Sequence, residues 1–409
     1  MSDVTLCSET VRQAAVQARS AICHTVIRTP LVHSPTFSRM FGGEIYLKLE
    51  NLQKTGSFKI RGAAHKLFKI REQIGPGGVV AASAGNHAQG VALAARHAGV
   101  ASTIVMPEWA SISKQEAARG YGGSLVIFGR NVEESLQKAK ELAQEGRIFI
   151  HPFDDADIIA GQGTVALEMF EDLKDIDMIL VPVGGGGLIS GIAAVAKAIR
   201  PGVKVIGVQA AVCPSAVESL RNGRLTKVTD APVSVADGIS VKQPGNLTFE
   251  FIRKYADEVV LAGEDHIAAA ILMLLERKKI LAEGAGAVPL AALLNGSVPV
   301  LPGSRTVLVI SGGNLDSPLL GRIISRGMVK NGRIMRFRVH LKDIPGSLSR
   351  LLGRIADLKA NVLRIYHDRN VKGIPINISC VELELETRSS DHIDEIHREL
   401  QAAGYEITE

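Results

Sequence analysis

Short apolar runs rich in β-branched residues alternate with stretches of helical period along most of the chain. EIYLKLE from Glu44, VVAAS from Val79, STIVMP from Ser102, SLVIFG from Ser124, IFIH from Ile148, DMILVPV from Asp177, KVIGVQA from Lys204 and TVLVIS from Thr306 read as strands. Between them NHAQGVALAARHAG (86–99) and NVEESLQKAKELAQEG (131–146) repeat apolar positions every 3.6 residues and stop at glycine. Strand and helix in turn predict an α/β fold built on mostly parallel sheets with helices on both faces.

After Ser311 the pattern changes. The charged stretch SRGMVKNGR (325–333) precedes RIMRFRVHL, a helical GSLSRLLGRIADLKA, NVLRIYHD, INISCVELELE, a helical DHIDEIHRELQAAG and YEITE. The order is βαββαβ, a ferredoxin-like unit of domain size. The expected organisation is therefore a catalytic-sized domain over 1–328, with a smaller subdomain inserted at about 45–150, a linker at 329–333 and a second domain over 334–409.

Composition narrows the class. With 46% hydrophobic and 22% charged residues in 409, the chain has material for more than one globular core. Cys7, Cys23, Cys213 and Cys380 are scattered, without metal-ligand spacing, which fits a reducing compartment. MSDVTLCSETVRQ has no basic start and no apolar core, and no later run suits a membrane span, so a cytoplasmic location with no membrane partner is expected. The net charge of +5 is spread out and aromatics are only 4%, which argues against nucleic acid and for small anionic ligands.

Four stretches carry candidate chemistry. Gly184, Gly185, Gly186 and Gly187 follow a strand and precede a helix, where converging N–H groups suit a phosphate. The alternative there is a plain turn; no GxGxxG stands here, and Gln209 occupies the place of a ribose-binding acid. Lys59 in KTGSFKIRGA falls in a first helical turn, with Ser57 as the expected N-cap; the helix dipole and burial beside Phe58 would both favour a neutral amine, and the alternative is a solvated surface lysine. SAGNHAQG (83–90) and SGGN (311–314) repeat the strand–turn–helix layout; there the alternative is capping by Ser83 and Asn86, or an ordinary turn.

Taken together, RTPL (28–31), KTGSFKIRGA (54–63), SAGNHAQG (83–90), VPVGGGGLISG (181–191), ADG (236–238), AEGAGA (282–287) and SGGN (311–314) resemble, in order, the motifs of fold-type II pyridoxal-phosphate enzymes. Within them the chain is similar to the threonine dehydratase and serine racemase branch, over roughly residues 10–325. The resemblance implies pyridoxal 5'-phosphate as cofactor. It makes Lys59 the lysine that carries the cofactor and the catalytic base, flanked by Phe58. Asn86 would bond the phenolic oxygen, Gly184 to Leu188 would cradle the phosphate, and Ser311 would face the ring nitrogen. Ser83, Ala84, Gly85, Asn86 and His87 would hold the substrate carboxylate, and Glu283 would lie near the ring.

The implied reaction is β-elimination of water from L-threonine, giving 2-oxobutanoate and ammonia, with L-serine giving pyruvate. A serine opposite the ring nitrogen makes the ring a moderate electron sink, which suits elimination. Relatives that racemise carry a serine where this chain has Ala84, so little racemisation is expected. Carboxylates that hold a divalent cation in some relatives are replaced by Gln209 and Ser215, so no metal site is expected. KDIPGSLSRLL (342–352) is similar to the opening turn of an ACT domain, implying an amino-acid effector held by Gly346, Ser347 and Asn361, isoleucine and valine first, and a homodimer or homotetramer. Serine racemase, another fold-type II activity or a non-catalytic amino-acid sensor are the competing readings.

Overall fold

The computed structural model describes residues 7–408, so part of the N-terminal segment read for an export signal lies outside the described residues. By its contacts the chain divides into two units, Met1–Asp316 and Ser317–Glu409.

In the first unit the strands are β1 (Leu31–His33), β2 (Glu44–Leu49), β3 (Val79–Ala82), β4 (Ser102–Met106), β5 (Ser124–Ile127), β6 (Ile148–Phe149), β7 (Met178–Pro182), β8 (Lys204–Ala210), β9 (Glu258–Ala262) and β10 (Arg305–Ile310). They form a six-stranded sheet of order β1-β2-β10-β7-β8-β9 and a four-stranded sheet of order β5-β4-β3-β6. Every pairing is parallel except β1 with β2. The continuous apolar runs are thereby explained: β3 and β7 are buried at every position, as strands covered on both faces must be. Each sheet has its own apolar core, one around Ile179, Val181, Ile192 and Val307, the other around Val79, Ala81, Val91 and Ile104.

β2 was expected in the inserted subdomain. Instead it pairs with β10, Glu44 opposite Arg305 through Leu49 opposite Ile310, and so belongs to the larger sheet. Its pattern marks a strand, whereas its partner lies at the far end of the unit. The strands β1 and β9, which the apolar pattern did not reveal, are edge strands of this sheet.

In the second unit β11 (Ile334–Lys342), β12 (Asn361–Asp368), β13 (Ile378–Glu386) and β14 (Ile407–Thr408) form an antiparallel sheet of order β12-β13-β11-β14. The helices Ser347–Asp357 and Ser390–Ala402 complete the βαββαβ order. Buried and exposed positions alternate along β11 and β13, and the buried face packs Phe337, Val339, Val381 and Leu383 against Leu351, Ile355, Ile396 and Leu400. The helix Ser317–Lys330 groups with this unit, and the expected linker at 329–333 begins at that helix's last two residues. Among the described residues no helix is long and apolar enough to cross a membrane.

A buried cluster of charges ties the first unit together beneath the helix Lys59–Ile70. Arg61, fully buried, donates through Nε and Nη2 to Glu50 at 2.8 Å each, through Nη1 to Glu168 at 2.7 Å and to Thr164 Oγ1 at 3.1 Å, and through Nη2 to Glu168 at 2.9 Å. Lys48 donates to the Thr29 carbonyl at 2.7 Å and to Glu168 at 2.5 Å. Two cations and two carboxylates thus join β2, the residue following it, the helix Lys59–Ile70 and the helix Ala156–Asp172. Replacing Glu168 by Leu would leave Arg61 and Lys48 with a single counter-charge. We expect denaturant unfolding of the first unit to show a loss of roughly 3–5 kcal/mol, the cost of breaking a buried pair on one side. A loss under about 1 kcal/mol would mean that water reaches the cluster.

Candidate active site

The larger sheet presents its strand ends to one region. β7 runs into the glycine turn and β10 into Ser311, while β3 of the smaller sheet runs into Ser83–His87. In open parallel sheets such carboxyl ends form the binding crevice.

Lys59 is the first residue of the helix Lys59–Ile70, and its Nζ donates to the Pro152 carbonyl at 2.8 Å, 5.3 Å from the Phe58 ring centroid. Burial pulls the amine down from 10.5 to about 8, against the partial support of Glu283. Ser57 does not cap this helix. Phe58 occupies the cap position, and the Ser57 hydroxyl is buried without a hydrogen-bond partner while its backbone bridges to Gly312. That bridge explains the departure, because it draws Ser57 toward the 311–314 turn.

Asn86 opens the helix Asn86–Ala98 but does not cap it either. Its amide donates to Glu283 Oε1 at 2.6 Å and its Oδ1 accepts from Asn314 at 2.7 Å, which also donates to the Thr55 carbonyl at 2.8 Å. The Ser83 hydroxyl accepts from Gly85 N at 3.1 Å and so shapes its own turn, and Ala84 is buried. His87 is buried and donates through Nε2 to the Ile150 carbonyl at 3.0 Å. Desolvation, with help from the Lys59 charge, drives its pKa to about 3, so the ring is neutral.

Glu283 is buried, and burial followed by the nearby Asp237 charge raises its pKa from 4.5 to about 7. A Cβ on Gly312 would meet its Oε1 at 2.3 Å, so a larger residue there would push the Glu283 carboxyl out of place. Ser311 is itself buried, and its carbonyl accepts from Phe58 N at 3.1 Å. Asn86, Glu283 and the Ser311 turn are therefore joined by direct contacts, and Phe58, next to Lys59, is bonded to Ser311.

At the glycine turn, Gly186 has φ +97° and caps the helix Gly187–Ile199, whose first residues are Gly187 and Leu188. The first N–H groups of such a helix have no intrahelical acceptor and suit an anion. Phe153 excludes larger residues: a Cβ on Gly185 would lie 2.3 Å from its ring, and one on Gly187 3.0 Å from its Cβ. Gly184 is pressed by Ile239, 3.0 Å from the place of a Cβ. Since Phe153 follows Pro152, the acceptor for Lys59, one short segment touches both the amine and the turn.

Several contributors had no local signal. Asn314, Thr55, Pro152 and Phe153 act through backbone or distant contacts, and Lys114 bridges Asp237 at 3.2 Å and Asp316 at 3.4 Å. Thr55, Asn314 and Asp237 lay in the quoted KTGSFKIRGA, SGGN and ADG runs, the only clue available for them. The cation position expected to be empty contains Gln209, which donates to Ser215 Oγ at 3.2 Å and accepts from Ala216 N at 3.0 Å. Among the described residues no three His, Cys, Asp or Glu side chains are grouped to hold a metal. In the second unit Gly346 has φ +84° and caps the helix that Ser347 opens, Arg350 donates to Ser347 Oγ at 3.2 Å, and Asn361 opens β12, donating to Glu386 at 3.4 Å.

The sequence profile described as pyridoxal-phosphate dependent enzyme matches residues 22–312. The chain is 50% identical to an L-threonine ammonia-lyase of Thermotoga maritima over 96% of this chain and 97% of that protein. It is 44% identical to the catabolic L-threonine dehydratase of Escherichia coli over 75% of this chain and 94% of that one. Among solved structures, maize serine racemase superposes with a TM-score of 0.73 at 33% identity, covering 78% of this chain and 98% of that one. Threonine deaminase isoform 2 of Solanum lycopersicum gives 0.73 at 34%, covering 78% and 89%.

The raised Glu283 pKa has a measurable consequence. Below pH 4.5 the group is protonated folded or unfolded; between 4.5 and about 7 only the unfolded chain ionises, so the stability it contributes is lost as pH rises through that window. Glu283→Gln, which can still accept from Asn86, is expected to remove a loss of at most on the order of 3 kcal/mol between pH 4.5 and 7. Parallel stability curves for parent and variant across that window would show that Glu283 is ionised throughout.

Proposed function

The chain belongs to the pyridoxal-phosphate dependent enzymes, and on that premise we propose that it is a threonine ammonia-lyase, converting L-threonine to 2-oxobutanoate and ammonia and L-serine to pyruvate. The observation that carries the reading is Lys59, a helix-opening lysine whose partly buried amine is pulled to about 8 beside the glycine turn's packing partner. A reactive amine has to be neutral, and this site brings neutrality within reach at physiological pH.

Residues of this chain fit the cofactor. Gly184 to Leu188 offer helix-start amides in a turn where Phe153 leaves no room for a Cβ on Gly185, Ser311 stands at a strand end, and the Ser57 hydroxyl is an unsatisfied donor beside them. We assign the phosphate to Gly184–Leu188, the phenolic oxygen to Asn86, the ring nitrogen to Ser311 and one ring face to Phe58. When bound, pyridoxal 5'-phosphate supplies an aldehyde that condenses with amines and a conjugated ring that accepts the electron pair of the Cα–H bond.

Lys59 would anchor that group, and its amine, held low by burial, would be the base for the Cα proton. Ser83–His87 hold the substrate carboxylate, and the neutral His87 leaves the amides of the turn as the positive field there. Ser311, a neutral hydroxyl, leaves the ring nitrogen without a carboxylate to stabilise its protonation, which favours prompt loss of the β-hydroxyl. The β-hydroxyl departs with a proton as water, and one water returns when the resulting enamine tautomerises and hydrolyses, so threonine yields the keto acid and ammonia. Glu283 donates or accepts a hydrogen bond near the ring according to its proton. The reading places the enzyme in the cytoplasm.

The test is 2-oxobutanoate production from threonine. Lys59→Ala is expected to lose it, together with the visible absorption of lysine-bound cofactor, while its unfolding midpoint stays near the parent's. Parent-level keto acid from that variant would remove Lys59 from the site. D-serine as the main product from L-serine would favour the serine racemase reading.

The second unit is assigned a regulatory role, with an amino acid bound near Gly346, Ser347 and Asn361 and with β12 or β14, the open sheet edges, joining copies into a dimer or tetramer. Isoleucine or valine is expected to shift the full-length enzyme's threonine saturation curve, and a chain lacking residues 331–409 is expected not to respond. Unchanged kinetics of the full-length protein across amino acids and nucleotides would reject the role.

A further inference from the structure

One segment, His151 to Asp154, holds the amine, the glycine turn and a distant helix at once. Pro152 accepts from Lys59, and Phe153 packs on Gly185 and Gly187. Asp154 accepts from the backbone of Asn246 at 3.0 Å, Leu247 at 2.8 Å and Thr248 at 3.1 Å, the first amides of the helix Asn246–Tyr255. His151 steadies the segment, its Nδ1 accepting from Phe153 N at 3.3 Å and Asp154 N at 2.8 Å.

The helix so capped returns a contact to the glycine turn. The hydroxyl of Thr248, which is fully buried, donates to the Gly185 carbonyl at 2.6 Å and accepts from Gly245 N at 3.0 Å. Gly245 N also reaches the Gly185 carbonyl, at 3.3 Å. A Cβ on Gly245 would stand 2.2 Å from Asp154 Oδ1, and one on Gly186 2.8 Å from Thr248 Cβ, so the parts fit only with glycine at both places. The conformation of a turn that binds an anion depends on where its carbonyls go, because a carbonyl oxygen aimed at the anion repels it. Here the carbonyl of Gly185 is engaged by Thr248, and the positive φ of Gly186 follows directly after it.

We propose that Thr248, oriented by Asp154, is a positioning residue for the phosphate cradle: its hydroxyl holds the Gly185 carbonyl so that the following amides face the phosphate. The inference rests on the assignment of Gly184–Leu188 to the cofactor phosphate. Neither side chain is placed against substrate, so the effect falls on cofactor affinity and on recognition of its phosphate.

The experiment titrates cofactor-free full-length protein with pyridoxal 5'-phosphate and, separately, with pyridoxal, following visible absorption. Parent protein should discriminate strongly in favour of the phosphorylated form. In Thr248→Val, which keeps the shape and loses the hydroxyl, affinity for pyridoxal 5'-phosphate should fall on the order of tenfold while affinity for pyridoxal changes little, and the phosphorus resonance of the bound cofactor should shift. Thr248→Ser should restore both, and KM for threonine at saturating cofactor should be unchanged. Asp154→Asn, which weakens the cap but keeps its shape, should move discrimination in the same direction and provides the reading if Thr248→Val does not fold. Equal loss for both ligands, failure of serine to rescue, or parent-like discrimination in the variants would overturn the proposal. If the parent itself does not prefer the phosphorylated ligand, the phosphate assignment fails instead, which separates the two outcomes.

Discussion

Two buried cations facing two buried carboxylates fix the point from which the candidate lysine projects. Burial works against the Glu50 carboxylate, yet Arg61 outweighs it and holds its pKa below the ordinary value. Lys48, by contrast, is held below its ordinary value by burial despite Glu50 and Glu168. Such a cluster is a weak source of net stability, because desolvation offsets most of the attraction. Its geometric consequence is stronger. Arg61 stands two residues after Lys59, and its five N–H groups in a planar fork set the first turn of that helix against β2 and against the helix Ala156–Asp172. Close backbone contact completes the fixation: a Cβ on Gly161 would meet the Arg61 carbonyl and Gly62 Cα at 2.7 Å, and one on Gly90 would meet the Lys59 carbonyl carbon at 3.1 Å.

Above that base the site suppresses charge on its side chains. The Lys59 amine is lowered, His87 is neutral and Glu283 is raised, each mainly through desolvation. What burial does not neutralise is the field of oriented amides at the starts of the helices Gly187–Ile199 and Asn86–Ala98. An anionic ligand therefore meets fixed dipoles in place of mobile ions. Dipoles held by a scaffold need no reorganisation during reaction, and that is the arrangement which lowers barriers for developing charge.

Legibility in the sequence followed the range of the interactions. The glycine turn, the helix opened by Lys59 and the βαββαβ order all rest on neighbours within a few residues, and each was readable. Ser57 and Asn86 look like caps by residue type, but long-range partners claimed them, Gly312 for the first and Glu283 with Asn314 for the second. Roles for Lys59, Asn86 and Ser311 came from resemblance of ordered motifs, because a lone lysine or serine carries no local mark of its use. The placement of β2 and the importance of Glu50, Glu168, Asp154 and Thr248 were not readable. Their partners lie far along the chain, and nothing in FDDAD or NLTFEF announces that the two segments meet.

On the proposed assignment, the groups that act are distinct from the groups that hold the framework around them. Lys59 and Asn86 open helices, and Ser311 follows the end of β10. Arg61 and Glu168 hold the helix that Lys59 opens, and Phe153, Asp154 and Thr248 hold the glycine turn; Gly161, Gly185, Gly186, Gly187 and Gly245 leave little spare volume around them. Interiors packed this closely shift between discrete arrangements and do not deform smoothly. A change in a holding residue is then expressed at the site as a displaced carbonyl or amine, and a change in an acting residue leaves the framework standing. On the proposed assignment, the cofactor cradle and the Lys59 amine would answer to different parts of the same 152–154 segment, the first through Phe153 and Asp154, the second through the Pro152 carbonyl that receives the Lys59 amine.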